Sequence, residues 1–188
     1  VQNIIITNLD FSGGVDNALR ISGTHHVWLH HNAFSGYEDD AIEIREGASY
    51  VTVAWNHFIN QNKSILTGHS DTNAGQDVGR LKVTYHHNWF DGTTQRNPLV
   101  RFGEAHVFNN FYDDVDLYGV ASALEAEVLV QANYFQSVRM PTSKGPSVTA
   151  NLDEGDLIEC ANVYVDSGDP ETRGMTFDPA SFYSYPLD

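Results

Sequence analysis

The sequence predicts an all-β chain wound as a right-handed, single-stranded parallel β-helix, and three observations lead there. A short strand-like segment recurs along the chain, each copy carries an asparagine with an aromatic residue two positions later, and the copies stand 22 to 32 residues apart. Repeats of roughly 20–30 residues built only from strands are solenoid coils, because one such strand cannot bury its apolar face until a neighbouring coil covers it.

Taken in order, the copies are Val27 to Phe34, Val51 to Phe58, Val83 to Phe90, Ala105 to Tyr112, Val128 to Phe135 and Leu157 to Tyr164. They align on Asn32, Asn56, Asn88, Asn110, Asn133 and Asn162, at intervals of 24, 32, 22, 23 and 29 residues. Each alternates apolar and polar positions and then reaches a polar turn, as a short strand does. Asparagine at such a bend is expected to take the left-handed backbone and to bond neighbouring peptide groups. Stacked copies would form a ladder of side-chain amides, and each following aromatic would stack on its counterpart one coil away. A sandwich of hairpins would need tight-turn signals, yet the sequence has no Asn-Gly pair, and Asp91-Gly92 precedes a long loop.

The expected organisation is one domain over residues 1–188, with coils to about residue 165 and a covering tail from 166 to 188 that contains Pro170, Pro179 and Pro186. The other end opens directly on strand-like Val1-Gln2-Asn3-Ile4-Ile5-Ile6. A solenoid left bare there exposes strand edges, so a cap missing from the start is expected. The 32-residue interval holds Lys63 and the polar run His69 to Asp77, an insertion expected as a loop on the binding face.

Twenty-five acidic residues face ten basic ones, a net charge of −15. That field repels nucleic acid. No apolar run reaches the ~18 residues of a membrane span, and a monomer without a membrane partner is expected. The same field opposes any anionic polymer unless local cations or a bound metal overcome it; Lys63, Lys82, Arg96 and Arg101 fall within 39 residues and are the candidate cluster. Cys160 is the only cysteine, which excludes an intrachain disulfide, and a lone thiol is expected to be buried. In the pairs His25-His26, His30-His31 and His86-His87, adjacent strand residues are expected on opposite faces, so that none chelates one metal ion.

Three motifs give the chain a family likeness. Asn62-Lys63-Ser64-Ile65-Leu66-Thr67-Gly68-His69-Ser70-Asp71, Val83-Thr84-Tyr85-His86-His87-Asn88 and Arg96-Asn97-Pro98-Leu99-Val100-Arg101 resemble, in order and spacing, the pectate and pectin lyases of polysaccharide lyase family 1. The resemblance runs from about Val15 to Tyr134 and implies a parallel β-helix, secretion, and calcium-assisted β-elimination of polygalacturonate. It implies Arg96 as the base with Lys63 beside it, and Lys63, Arg101 and Arg45 as cations on the substrate. It also implies a calcium site of Asn17, Asp39 and Glu43. Asp39 and Glu43 share one face of an extended strand but lie about 13 Å apart, so they meet on one ion only if the chain bends between them.

Two positions depart from the family pattern: Asn17 and His30 stand where the family has aspartate. Losing a negative charge at Asn17 is expected to weaken calcium binding. An arginine base is physically demanding, since its pKa exceeds about 12, and crowding by Lys63, Arg101 and calcium would favour the neutral form. The alternatives are a calcium-free pectin lyase acting on methyl-esterified substrate, or a noncatalytic β-helix that binds polyuronide.

Overall fold

The computed structural model describes residues 1–145, 153–174 and 177–181. The chain climbs in successive coils. Coil 1 is β1 (Gln2–Thr7), β2 (Asp10–Gly14) and β3 (Leu19–Ser22); coil 2 is β4 (His25–His30), β5 (Ala33–Tyr37) and β6 (Ile42–Arg45). Coil 3 is β7 (Ser49–Ala54), β8 (His57–Ile59) and β9 (Ile65–Thr67), followed by α1 (Ala74–Asp77). Coil 4 is β10 (Lys82–His86), β11 (Trp89–Asp91) and β12 (Leu99–Arg101); coil 5 is β13 (Glu104–Phe108), β14 (Phe111–Val115) and β15 (Val120–Ala123). Coil 6 is β16 (Glu127–Gln131), β17 (Tyr134–Val138) and β18 (Thr142–Ser143), and β19 (Asp156–Cys160) and β20 (Val163–Val165) begin a seventh. The first strands of all coils form one sheet, the second strands another and the third strands a third, every pairing parallel. This is the parallel β-solenoid that the repeat predicts.

Strict register turns the sequence repeat into columns. Val27, Val51, Val83, Ala105, Val128 and Leu157 lie over one another and are all buried, as are Leu29, Val53, Tyr85, Val107 and Val130 beside them. Along the second sheet Phe11, Phe34, Phe58, Phe90, Tyr112, Phe135 and Tyr164 stack face to face, with centroids 4.4 to 5.3 Å apart.

The asparagine ladder forms between the first and second sheets. The side-chain amide of each Asn donates to Oδ1 of the next, from Asn32 through Asn56, Asn88, Asn110 and Asn133 to Asn162, at 2.9 to 3.1 Å. The left-handed backbone falls one residue earlier than expected, at His31, Trp55, His87, Asn109, Ala132 and Ala161. Left-handed non-glycine residues cost about 1–2 kcal/mol each, and the ladder behind them offsets that with several hydrogen bonds of about 1 kcal/mol.

The left-handed turn also corrects the reading of the histidine pairs. His26, His31 and His87 have φ between 53° and 58°, which breaks the alternation and brings the second ring beside the first. Nδ1 of His25 lies 2.6 Å from that of His26, and the other pairs follow at 2.9 and 2.8 Å. His30, one of the departures from the family pattern, stacks on Trp28 at 4.1 Å. Cys160 is exposed rather than buried, because it ends β19 in register with outward-facing Gln131. Beyond β20, Arg173 returns antiparallel to Leu157 and Pro179–Ser181 form a single 3-10 turn; Pro186 lies outside the described residues.

Asn88→Ala removes a side chain that bonds the Val53 carbonyl and Asn110, and that accepts from the backbone and amide of Asn56. Leaving those buried groups without partners should cost about 3 kcal/mol or more in urea unfolding. Asn162→Ala, at the half-exposed last rung, should cost less than half as much because water replaces the lost bonds.

Candidate functional site

Of the sequence-predicted residues, Asn17, Asp39, Lys63 and Arg96 stand at the outer corner where the second sheet turns into the third, and Glu43, Arg45 and Arg101 in third-sheet strands. Asn17 precedes β3 in coil 1, Asp39 and Asp40 precede β6 in coil 2, Lys63 precedes β9 in coil 3, and Arg96 precedes β12 in coil 4. These turns stack like the strands. Ala41 N–H donates to the Lys63 carbonyl, Ser64 N–H to Gln95, and Ile65 N–H to Arg96 at 2.7 Å. Successive coils step about 4.8 Å, so residues some eighty positions apart lie within about 14 Å along the axis. The chain does bend between Asp39 and Glu43, since β6 begins only at Ile42.

Gln61 clamps this corner, a role its sequence position did not signal. Its side chain bonds both the Tyr37 N–H and carbonyl, and donates to the carbonyls of Asp39 and Lys63. Ser64 donates to Asn97, whose amide donates to the Tyr118 carbonyl, and the Tyr112 hydroxyl donates to the Asn97 carbonyl. The turns that carry Lys63 and Arg96 are thus fixed from behind by buried side chains.

Three carboxylates of coil 2 are each held by a cation from a different coil. Lys63 of coil 3 bonds Asp39 at 3.0 Å, Arg96 of coil 4 bonds Asp40 at 2.7 Å, and Arg20 of coil 1 bonds Glu43 at 2.7 Å. Arg45 adds a bond to Glu43 at 3.1 Å and one to Glu46 at 2.8 Å. Arg101 donates to the Gly68 carbonyl and pairs with Asp71; Gly68, at φ 81°, has no room for a Cβ against the Arg101 backbone. Arg20 went unsingled in the sequence, and Asp40 and Asp71 were given no partner there. Lys82, counted there in the cationic cluster, stands elsewhere and bonds Glu104 on the first sheet.

Environment separates the two neighbouring aspartates. Burial alone would raise Asp39, but its bond to Lys63 holds it below the ordinary carboxylate range. Asp40 is buried to 2 % side-chain exposure; burial outweighs the Arg96 guanidinium and pushes it up to about 6. Burial likewise lowers Arg101 and pushes the Tyr118 hydroxyl up to about 12. Several buried polar atoms here have no protein partner, among them Asp40 Oδ1, Arg96 Nε, Thr93 Oγ1 and Tyr118 OH. The donors assigned to calcium are all hard oxygens, and the buried Oδ1 of Asp40, next in sequence to Asp39, is unsatisfied. Such a set suits Ca²⁺, which takes 6–8 oxygen ligands.

A carboxyl raised by folding binds its proton more tightly in the folded than in the unfolded chain. Asp40 therefore makes stability fall as pH rises between its ordinary 3.8 and about 6. Asp40→Asn abolishes that loss. The wild-type minus variant unfolding free energy should decline across the window; a flat difference would show that Arg96 fully offsets burial, and a rising one that it outweighs it.

The sequence profile described as pectate lyase matches residues 1–187. The pectate trisaccharide-lyase of Thermotoga sp. strain RQ2 is 35% identical over 229 residues, an alignment that takes in all of this chain and 61% of the relative. The probable pectate lyase B of Aspergillus terreus is 37% identical over 73% of this chain and 45% of its own length. Among solved structures, pectate lyase Bsp165PelA from Bacillus sp. N165, in complex with trigalacturonate, superposes with a TM-score of 0.83 at 30% identity, covering all of this chain and 63% of that one. The chain spans about three fifths or less of the length of these relatives.

Proposed function

Because the chain belongs to the pectate lyase family, we propose that it cleaves α-1,4-polygalacturonate by β-elimination, leaving a 4,5-unsaturated sugar at the new end. The observation that supports this most is that Lys63 and Arg96, from coils 3 and 4, bond Asp39 and Asp40 at one corner, with Glu43 and Arg101 in the third-sheet strands that follow. In this reading Arg96 takes the proton from C5. The electron pair forms the C4–C5 double bond, the C4–O4 bond breaks, and the leaving oxygen gains a proton from water. Lys63 contributes a point charge and Arg101 a planar fork to the uronate carboxylates. Arg45 faces the same groups only by leaving Glu43 and Glu46. Asn17, Asp39 and Glu43 would hold calcium, which stabilises charge developing on a uronate carboxylate when bound. The substrate is an extracellular polymer, so the same reading places the protein outside the cell.

A calcium-free action on methyl-esterified pectin is the second reading, favoured by Arg20 lying on Glu43 and Asn17. Ultraviolet absorbance of the unsaturated product separates the two. Polygalacturonate should be cleaved with added calcium and not with chelator, whereas cleavage of esterified pectin in chelator would establish the second. Silence from folded protein in every arm would leave polyuronide binding alone. With Arg96→Lys, turnover should fall at least about a hundredfold, the lower range for loss of a positioned base, while oligogalacturonate binding measured by calorimetry changes little.

A further inference from the structure

Arg20 has no part in the reaction just described, yet it touches two of the three oxygen donors assigned to calcium. The β3–β6 ladder pairs Arg20 directly with Glu43. Its Nε donates to Glu43 Oε2 at 2.7 Å, and its Nη2 donates to Asn17 Oδ1 at 2.5 Å and to Asp16 Oδ1 at 2.9 Å. One guanidinium thus spans the space between Asn17 and Glu43.

We propose that Arg20 is a built-in counter-ion of this site, which a divalent cation must displace from Glu43 and Asn17 in order to bind. The inference rests on the metal reading of Asn17, Asp39 and Glu43. The lone pairs a metal needs are those Arg20 now occupies, and a guanidinium held at contact distance from the same oxygens repels the incoming double charge. Arg45 shares Glu43 Oε2 at 3.1 Å and adds to that opposition. Displacement is open to Arg20 because its side chain is 44 % exposed and Asp16, 64 % exposed, offers it an alternative partner nearer solvent. Asparagine rather than aspartate at position 17 acts in the same direction, since it leaves one negative charge fewer to attract the ion. Residues of coil 1 therefore set calcium affinity low by two separate means.

Calorimetric titration of calcium chloride into wild type, Arg20→Gln, Arg20→Met, Arg20→Lys and Glu43→Gln tests this without reference to turnover. Arg20→Gln and Arg20→Met should bind calcium about tenfold tighter or more, the order expected from removing one unit charge near the ion. Arg20→Lys should stay within about threefold of wild type, because the charge is kept. Glu43→Gln should abolish binding. Wild-type or weaker affinity in both neutral variants, with binding still lost in Glu43→Gln, would overturn the role of Arg20. Unchanged binding in Glu43→Gln, or none in any variant, would instead overturn the metal site itself. The two neutral variants differ in shape and polarity, so a folding failure in one leaves the other to decide.

Discussion

The register imposed by the asparagine ladder is the constraint on which everything else depends. Each amide donates to the amide one coil on and to a carbonyl one coil back, so a rung accepts one residue per coil and no other. A slip of one residue would send every core side chain to the opposite face. With the rungs fixed, the seven stacked rings and the valine columns follow, and so does the stacking of the turns beyond the second sheet. Positions that are remote in sequence, such as Asp40 and Arg96, then become neighbours on one corner. Insertions are absorbed outside this frame. The segment after β9 leaves the coil, makes the single turn α1 and is tied back where Asp77 accepts the Gly47 N–H.

Within that frame the corner is arranged as interlocked ion pairs. An acidic coil lies between basic contributions from the coils before and after it, and the pairs differ in how deeply they are buried. Lys63–Asp39 and Arg20–Glu43 each have a partner more than a quarter exposed, where a surface pair contributes less than about 1 kcal/mol. Arg96–Asp40 is largely buried, and breaking such a pair leaves an uncompensated charge. The corner therefore has one fixed pair and several that exchange partners readily. A ligand that takes an oxygen from Glu43 releases Arg20 and Arg45; one that takes Asp39 releases Lys63. Binding at the carboxylates and release of these cations toward the proposed anionic sugar would be linked through the same hydrogen bonds.

Much of this was legible in the sequence because the repeat is explicit. The Asn and aromatic columns follow from aligning one coil on the next, whereas Lys63, Arg96 and Arg101 were marked by the motifs of the family resemblance. The Arg20–Glu43 pair was readable too: the two stand 23 residues apart, one coil interval, and share an alignment column. Asp40–Arg96 was not, because it spans 56 residues across two coils, one of them lengthened by the insertion. The histidine pairs and the left-handed positions escaped for a different reason. Period-two alternation describes the strand interior and fails at the residue before each asparagine, and at His26 near the start of β4, where the backbone turns. Cys160 follows the same lesson, since its face is set by register with Gln131 and not by the general burial of free thiols.

The net charge of −15 and the proposed anionic substrate are reconciled by distance. Repulsion from carboxylates spread over the whole solenoid acts over tens of ångströms, and physiological salt screens it beyond about 8 Å. The ion pairs of the corner act at contact. There Asp16, Asp39, Asp40, Glu43 and Glu46 are met by Arg20, Arg45, Lys63 and Arg96, so the corner is close to neutral within a molecule that is strongly acidic overall. Neutrality alone attracts nothing. What it provides is a place where one added divalent charge, or one carboxylate exchanged for another, reverses the local sign. Encounter with an acidic polymer would be slowed by the global field and retention decided by the local one, which is why the arrangement of coils 1 to 4 matters more to this chain's chemistry than its total charge.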